Sequence, residues 1–184
     1  MSAPAKTFTL DEFAALPDDG LIHELIRGEL QTTTRPGIAH GVIMSRIARL
    51  LDVYVQMNHL GVVVAGDAGF ILSRDDATVV GPDVAFVPTA DLPASDLPEK
   101  WLNAAPALAV EISSPTDRLT DIDEKVDLYL AAGSQLVWVV NPRRQSVTIH
   151  RPAAPGSVLG AADTLTGESL LPGFSCQVAD LFAR

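Results

Sequence analysis

The sequence predicts a mixed α/β domain, of the α+β kind: a central β-sheet of mixed direction flanked by helices and preceded by an N-terminal β-hairpin. Three observations predict it. The apolar positions Ile43, Met44, Ile47, Leu50, Leu51, Tyr54 and Val55 recur at helical spacing, the stripe of one long amphipathic helix. Short β-branched or apolar runs at 62–65, 69–72, 84–87 and 108–112 are set off by Gly, Asp and Pro, which predicts successive strands of one sheet. A second helical pattern over 119–132, stopped by Gly133, leads into Leu136-Val137-Trp138-Val139-Val140. Such a continuous apolar run marks a strand covered on both faces.

The remaining elements follow in chain order. Thr9-Leu10-Asp11-Glu12 has the form of a capping box and predicts a short helix ending near Pro17. His23 to Leu30 reads as two short strands around Arg27-Gly28, because glycine permits the tight turn; the hairpin extends through Thr32 to Thr34. Gly61 stands where a helix-terminating residue of positive φ is expected. Residues 90–103, with Pro93, Pro98 and an isolated Trp101, read as a surface loop. Ser114-Pro115-Thr116 closes the strand that carries Glu111. Asn141-Pro142-Arg143-Arg144 turns the chain, and residues 146–150 return as another strand. The segment 151–184, with a short helical pattern over 178–182, reads as a docking segment on a core spanning about 10–150.

A chain of 184 residues with 47% hydrophobic and 20% charged residues suits one domain with a sizeable core. No apolar stretch has the length of a secretion signal or of a membrane span, which needs roughly 20 residues, so a soluble cytoplasmic protein is expected. The single cysteine, Cys176, has no partner for an internal disulfide and reads as a small buried hydrophobe. A net charge of −10 and a pI near 4.6 exclude a protein that coats nucleic acid through overall electrostatics, so any such contact must be local. Lysines are confined to Lys6, Lys100 and Lys125; arginines gather at Arg143-Arg144, where a solvated turn is the plain alternative to a substrate contact.

Asp83 heads the run Pro82-Asp83-Val84-Ala85-Phe86-Val87, and Glu111 lies inside Ala107-Leu108-Ala109-Val110-Glu111-Ile112. Both are carboxylates where strands should pack apolar groups. An ionised carboxylate is buried at a cost of several kcal/mol unless a cation or hydrogen bonds compensate. Neighbouring strands lie about 4.8 Å apart, so two carboxylates at matching depth can share one hard cation such as Mg²⁺, with Mn²⁺ as a substitute, and the carbonyl of Ile112 can add a third oxygen. Lys125, on the helix leaving the Glu111 strand, is the lysine positioned to orient or deprotonate a water there. It has an equal claim to a helical surface pair with Asp121, four residues earlier.

Four stretches together carry a family resemblance: Gly81-Pro82-Asp83-Val84-Ala85-Phe86-Val87, Pro106-x-Leu108-x-Val110-Glu111-x-x-Ser114-Pro115, Asp123-x-Lys125-x-x-x-Tyr129-x-x-x-Gly133 and Val137-Trp138-Val139-Val140-Asn141-Pro142. With Glu24-Leu25-Ile26-x-Gly28-Glu29-Leu30 and His40, the chain resembles the Uma-two family of proposed restriction endonucleases, within the PD-(D/E)XK nuclease superfamily. The resemblance implies a restriction-endonuclease-like core and a metal-dependent phosphodiesterase: Asp83 and Glu111 as metal ligands, Lys125 as the site lysine, and Glu24 as an upstream acid completing the metal shell or else facing solvent. His40 either touches substrate or is a cap-region side chain. The superfamily's usual lysine two positions after the Glu is absent, Ser113 standing there. Arg27 replaces an acid usual in the hairpin turn, and Gln135-Leu136 replaces an acidic-aromatic pair.

The expected function is Mg²⁺-dependent hydrolysis of DNA phosphodiester bonds, with Arg118, Arg143 and Arg144 supplying local positive potential and a homodimer offering two sites for two strands. Two alternatives stand beside it: a catalytically silent protein that uses the fold for self-association or partner binding, and a metal-dependent enzyme acting on something other than DNA.

Overall fold

Thr9 Oγ1 accepts the Glu12 N–H at 3.2 Å while the Glu12 carboxylate accepts the Thr9 N–H at 2.8 Å, the capping box that opens α1 (Leu10–Ala14). The computed structural model describes residues 6–114 and 118–183; Pro115 and Thr116, expected to close the Glu111 strand, lie outside the described residues. Strands β1 (Ile22–Ile26) and β2 (Glu29–Thr33) form the expected hairpin. Its two turn residues, Arg27 and Gly28, both have positive φ, 50° and 78°, the backbone of the two-residue turn that matches strand twist.

Helix α2 (Ile38–Met57) buries Ile43, Ile47, Leu51 and Val55, four of the seven stripe positions. It ends at Asn58, short of Gly61, which begins β3 (Gly61–Ala65). The glycine is needed for a different reason than helix termination. A Cβ there would lie 2.1 Å from the Val87 carbonyl oxygen of β6 (Val84–Pro88).

The runs expected to share one sheet divide between two. Strands β4 (Phe70–Ser73) and β5 (Thr78–Val80) join the hairpin in a four-stranded sheet of order β2-β1-β5-β4. The second sheet has the order β10-β9-β8-β7-β6-β3, built with β7 (Leu108–Ile112), β8 (Leu136–Asn141), β9 (Ser146–Arg151) and β10 (Ala154–Leu159). Apolar patterning identifies a strand but not its neighbour, and β5 has no sequence signal because the three residues Thr78–Val80 are too few to show alternation. Within the six-stranded sheet β7 and β8 run parallel, joined by α3 (Leu119–Ala131), while the other named pairings are antiparallel.

Helix α2 covers one face of this sheet, packing with Val84, Phe86, Val110, Ile112, Trp138 and Val140. On the opposite face Val126 and Tyr129 of α3 pack with Ala109, Val137 and Val80. Alternation along β7 thus sends Val110 toward α2 and Ala109 toward α3, the reason β7 and β8 read as continuous apolar runs.

Residues beyond 150 do more than dock. Strands β11 (Thr164–Gly167) and β12 (Leu171–Gln177) and helix α4 (Val178–Phe182) contribute Leu165, Leu171, Phe174, Val178 and Leu181 to the α2-side core. Five such burials contribute together on the order of 10 kcal/mol, comparable with the whole stability of a domain, so the segment is part of the core. Cys176 is only partly buried, against the same cluster. In the 90–103 loop, Trp101 is not isolated: its ring stacks on Phe13 with centroids 5.1 Å apart. Among the described residues no helix is long and apolar enough to cross a membrane.

Candidate active site

One edge of the six-stranded sheet gathers the start of β6 and the ends of β3, β7 and β8. Antiparallel pairing of Val84 with Val110 sets Asp83 and Glu111 one residue further along each strand at that edge, where the Asp83 carboxylate meets His40 of α2 and Glu111 meets Lys125 of α3. Asp83 is 7% exposed. Its Oδ2 accepts the Ile112 N–H at 2.6 Å, and its Oδ1 lies 3.2 Å from His40 Nε2. His40, in the first turn of α2, brings the same nitrogen 3.0 Å from the Ile112 carbonyl oxygen. A carbonyl only accepts, so Nε2 carries the proton; Nδ1 is buried with no partner among the described residues. The hydrogen bond to Asp83 raises the His40 pKa above the usual histidine value, against the opposing effect of burial.

Glu111 points to the α3 side. Its Oε1 accepts from Lys125 Nζ at 2.9 Å and from Tyr129 Oη at 2.8 Å. Lys125 and Tyr129 are four residues apart, one helical turn, so α3 presents both donors to the same oxygen. The Lys125 ammonium also lies 2.9 Å from Glu24 Oε1, which in turn accepts the Gly81 N–H at 2.8 Å. Lys125 therefore pairs across the fold with Glu24 and Glu111. No pair with Asp121 is present among the described residues, and Glu24 faces the interior rather than solvent.

Burial pushes the Glu111 carboxyl up to about 7; Lys125 pulls it down while Glu24 and Asp83 push it further up. For Lys125 burial works against the ammonium, but Glu111 and Glu24 outweigh it and hold the pKa well above the ordinary lysine value. The group stays protonated, a donor and a fixed positive charge rather than a base. Asp67, in the loop after β3, joins the same field: burial first, then the Asp83 charge, raises its carboxyl, and Lys125, Glu24 and His40 also act on it. The loop sits tight against the site. Gly66 N–H donates to the Asp83 carbonyl at 3.1 Å, and a Cβ on Gly81 would come within 2.5 Å of the Asp67 carbonyl oxygen.

Two observations bear on a divalent cation. Asp83 Oδ1 and the Ile112 carbonyl converge on one position, taken by the His40 N–H; and four carboxyl groups, Glu24, Asp67, Asp83 and Glu111, share a field with one ammonium. Hard oxygens aimed at a common point amid excess negative charge fit Mg²⁺ better than a thiol- or imidazole-seeking metal. Among the described residues no three His, Cys, Asp or Glu side chains close into a ready ligand set, so the donors are few, and Mg²⁺ commonly keeps several waters.

Of the arginines singled out from sequence, Arg118 is exposed at the start of α3. Arg143 and Arg144 are exposed in the β8–β9 turn; because β8 is parallel to β7 and adjacent to it, that turn lies at the same sheet edge as Glu111. The substituted hairpin residue Arg27 pairs with Glu124 at 2.6 Å, a surface contact away from Glu111. Two further residues, Tyr129 and Asp67, join the cluster. Tyr129 showed only as a motif position on an apolar helix face, and its i, i+4 relation to Lys125 was the available signal. Asp67 lies in a loop of no pattern, and only folding brings it near Asp83.

The chain shares its fold with the crystal structure of a protein from Anabaena variabilis described as "a putative nuclease belonging to DUF820", at 22% identity and a TM-score of 0.86, over 95% of this chain and 97% of that one. No curated protein matches the sequence. The family described as "Putative restriction endonuclease" matches residues 10–179, a span that holds Glu24, His40, Asp83, Glu111, Lys125 and Tyr129. With the match running from α1 into α4, the chain belongs to the Uma2 family.

Proposed function

We propose that the protein is a Mg²⁺-dependent endonuclease that hydrolyses DNA phosphodiester bonds at the Asp83–Glu111 edge. The observation that carries the reading is the sheet edge at which Asp83, bonded to the Ile112 amide, and Glu111, which shares the Lys125 ammonium with Glu24, are both held. Asp83, Glu111 and the Ile112 carbonyl would hold the cation, which when bound polarises a phosphoryl oxygen and lowers the pKa of a water. Lys125 contributes a fixed donor for negative charge gathering on the reacting phosphate. Glu24 positions that lysine through the chain Gly81 N–H, Glu24, Lys125. Tyr129 orients Glu111. His40, whose N–H takes the Ile112 carbonyl, would have to release that oxygen for a cation to be held there, and is the candidate for a substrate contact. Arg118, Arg143 and Arg144 steer the backbone of the nucleic acid toward the edge, and a homodimer would bring two such edges to two strands.

A silent nuclease-fold protein is the second reading, favoured by the His40 N–H bridging the two oxygens that a cation would need. One experiment separates them. Purified protein is titrated with Mn²⁺, following the free-ion electron paramagnetic resonance signal, and then assayed on supercoiled DNA with and without Mg²⁺. Metal-dependent nicking, lost in Asp83→Asn, Glu111→Gln and Lys125→Met, supports the enzyme. Absence of both binding and nicking, or nicking that survives in the double carboxylate variant, overturns it. Light scattering of the same preparation reads the homodimer.

A further inference from the structure

A cleft of about 550 Å³ opens between the hairpin and the loop after β3, walled by Leu21, His23, Arg35, Pro36, Gly66 and Asp67. Each wall is tied to the candidate active site. His23 precedes Glu24 in β1. Arg35 and Pro36 lead into α2, whose first turn carries His40. Gly66 donates to the Asp83 carbonyl, and the Asp67 carboxyl feels Asp83, Lys125, Glu24 and His40.

The chemistry of the walls is mixed in a particular way. Arg35 is exposed, its Nε donating to the Gly20 carbonyl at 3.2 Å, and it has no carboxylate partner among the described residues. Both ring nitrogens of His23 are engaged, Nδ1 with Thr32 Oγ1 and Nε2 with Asp19 Oδ1, each at 3.0 Å, so the imidazole plane is fixed. Leu21 is 42% exposed and, with Pro36, supplies apolar wall. An exposed guanidinium with no carboxylate partner, beside a locked aromatic plane and apolar side chains, is the combination that takes an unpaired nucleotide, phosphate on the cation and base against the flat surfaces. The Asp67 carboxyl shares the wall and Asp19 holds His23, so among the described residues Arg35 is the one arginine or lysine of the lining and the contact that a phosphate would use.

We infer that this cleft is a subsite for one unpaired nucleotide of the substrate strand, beside the phosphate that the Asp83–Glu111 edge would cleave, with Arg35 gripping the backbone. The inference rests on the nuclease reading for its place along the strand, and on the cleft alone for its ligand. It gives the substrate a character: a single strand, or a strand end, overhang or distorted site where a base can leave the duplex.

The test uses the full chain with Ca²⁺ in place of Mg²⁺, and fluorescence anisotropy of a short fluorescein-labelled oligothymidine, with an unlabelled duplex of equal length as competitor. The single strand is expected to outcompete the duplex. Arg35→Gln is expected to weaken the single strand by about tenfold and to lower the slope of log affinity against log salt by roughly 0.7. Leu21→Glu, which sets a negative charge on the opposite wall, weakens it as well, with the urea midpoint of both variants unchanged. Affinity and salt slope unmoved by Arg35→Gln, a duplex bound as tightly as the strand, or no oligothymidine binding by the wild type overturns the inference. Strand binding that depends on Arg35 without any cleavage in Mg²⁺ keeps the subsite and overturns only the nuclease reading; cleavage without Arg35 dependence does the reverse.

Discussion

Replacing Asp83 tests two roles at once, and the geometry separates them. The pairing of β6 with β7 stops at Val84 and Val110, so past that point the Ile112 N–H has no β6 carbonyl to meet; Asp83 Oδ2, at 2.6 Å, takes its place. Ile112 is 3% exposed and Asp83 7%, so water does not replace a lost acceptor. A buried donor left unmade costs about 1–3 kcal/mol, and a hydrogen bond to a charged group contributes about 1.5–3. Asp83→Ala should therefore destabilise by about 2–3 kcal/mol, which in a chain of this size lowers Tm by about 5–10 °C. Asp83→Asn keeps an oxygen for the Ile112 amide while losing the charge opposite His40, and should cost about 1 kcal/mol. The assay is urea unfolding in the presence of a chelator, read by tryptophan fluorescence and far-ultraviolet circular dichroism, with m required to stay constant. Equal losses in the two variants, or no loss in Asp83→Ala, would refute the claim that the carboxylate caps the β7 amide. Both variants should fail to bind Mn²⁺ whatever their stability, because the charge is absent in each.

Three further expectations follow from the same contacts. Tyr129→Phe removes the donor to Glu111 from a fully buried ring while keeping its volume, and should cost about 1–2 kcal/mol in urea unfolding; unchanged stability would show that Lys125 alone satisfies that oxygen. Gly81→Ala forces a methyl against the Asp67 carbonyl and should cost about 1–3 kcal/mol, with faster amide exchange at Gly66 if the loop gives way; a neutral effect would mean that the loop is loosely held. Glu168 is paired with Arg151, whose Nε lies 2.8 Å from each carboxylate oxygen, and this partner holds the Glu168 carboxyl below its ordinary value of 4.5. A depressed carboxyl contributes stability above its unfolded value and loses it as pH falls through the folded one. Glu168→Gln should thus cost about 0.5–1 kcal/mol at neutral pH and nothing in strong acid; a deficit independent of pH would point to packing instead.

How much of the site was legible in the sequence differs residue by residue. Asp83 and Glu111 stood out because a carboxylate in an apolar run violates the pattern around it, and the capping box at Thr9, the hairpin turn at Arg27-Gly28 and the α2 stripe are local signals whose cause lies within a few residues. Lys125 was ambiguous, since a helical pair with Asp121 and a contact with Glu111 have the same sequence signature. Gly61 was expected for its φ and found necessary for its missing Cβ. The segment after 150 gave no sign that Leu171 and Val178 complete the core under α2, because single apolar residues in short elements carry no period.

By itself the sequence determined the order and type of the main elements, the two buried acids and the confinement of positive charge to a few places, because these depend on the chemistry and spacing of near neighbours along the chain. Only the tertiary structure decided that β4 leaves the central sheet to join the hairpin through β5, that Lys125 bridges Glu24 and Glu111, that Tyr129 and Asp67 belong to the cluster, and that a cleft opens beside it. Those outcomes rest on strand pairing and electrostatic contact between residues as far apart in the chain as Glu24 and Lys125, and burial sets their strength: the same ions in water would be weakly coupled, whereas at this sheet edge each one moves the protonation of the next.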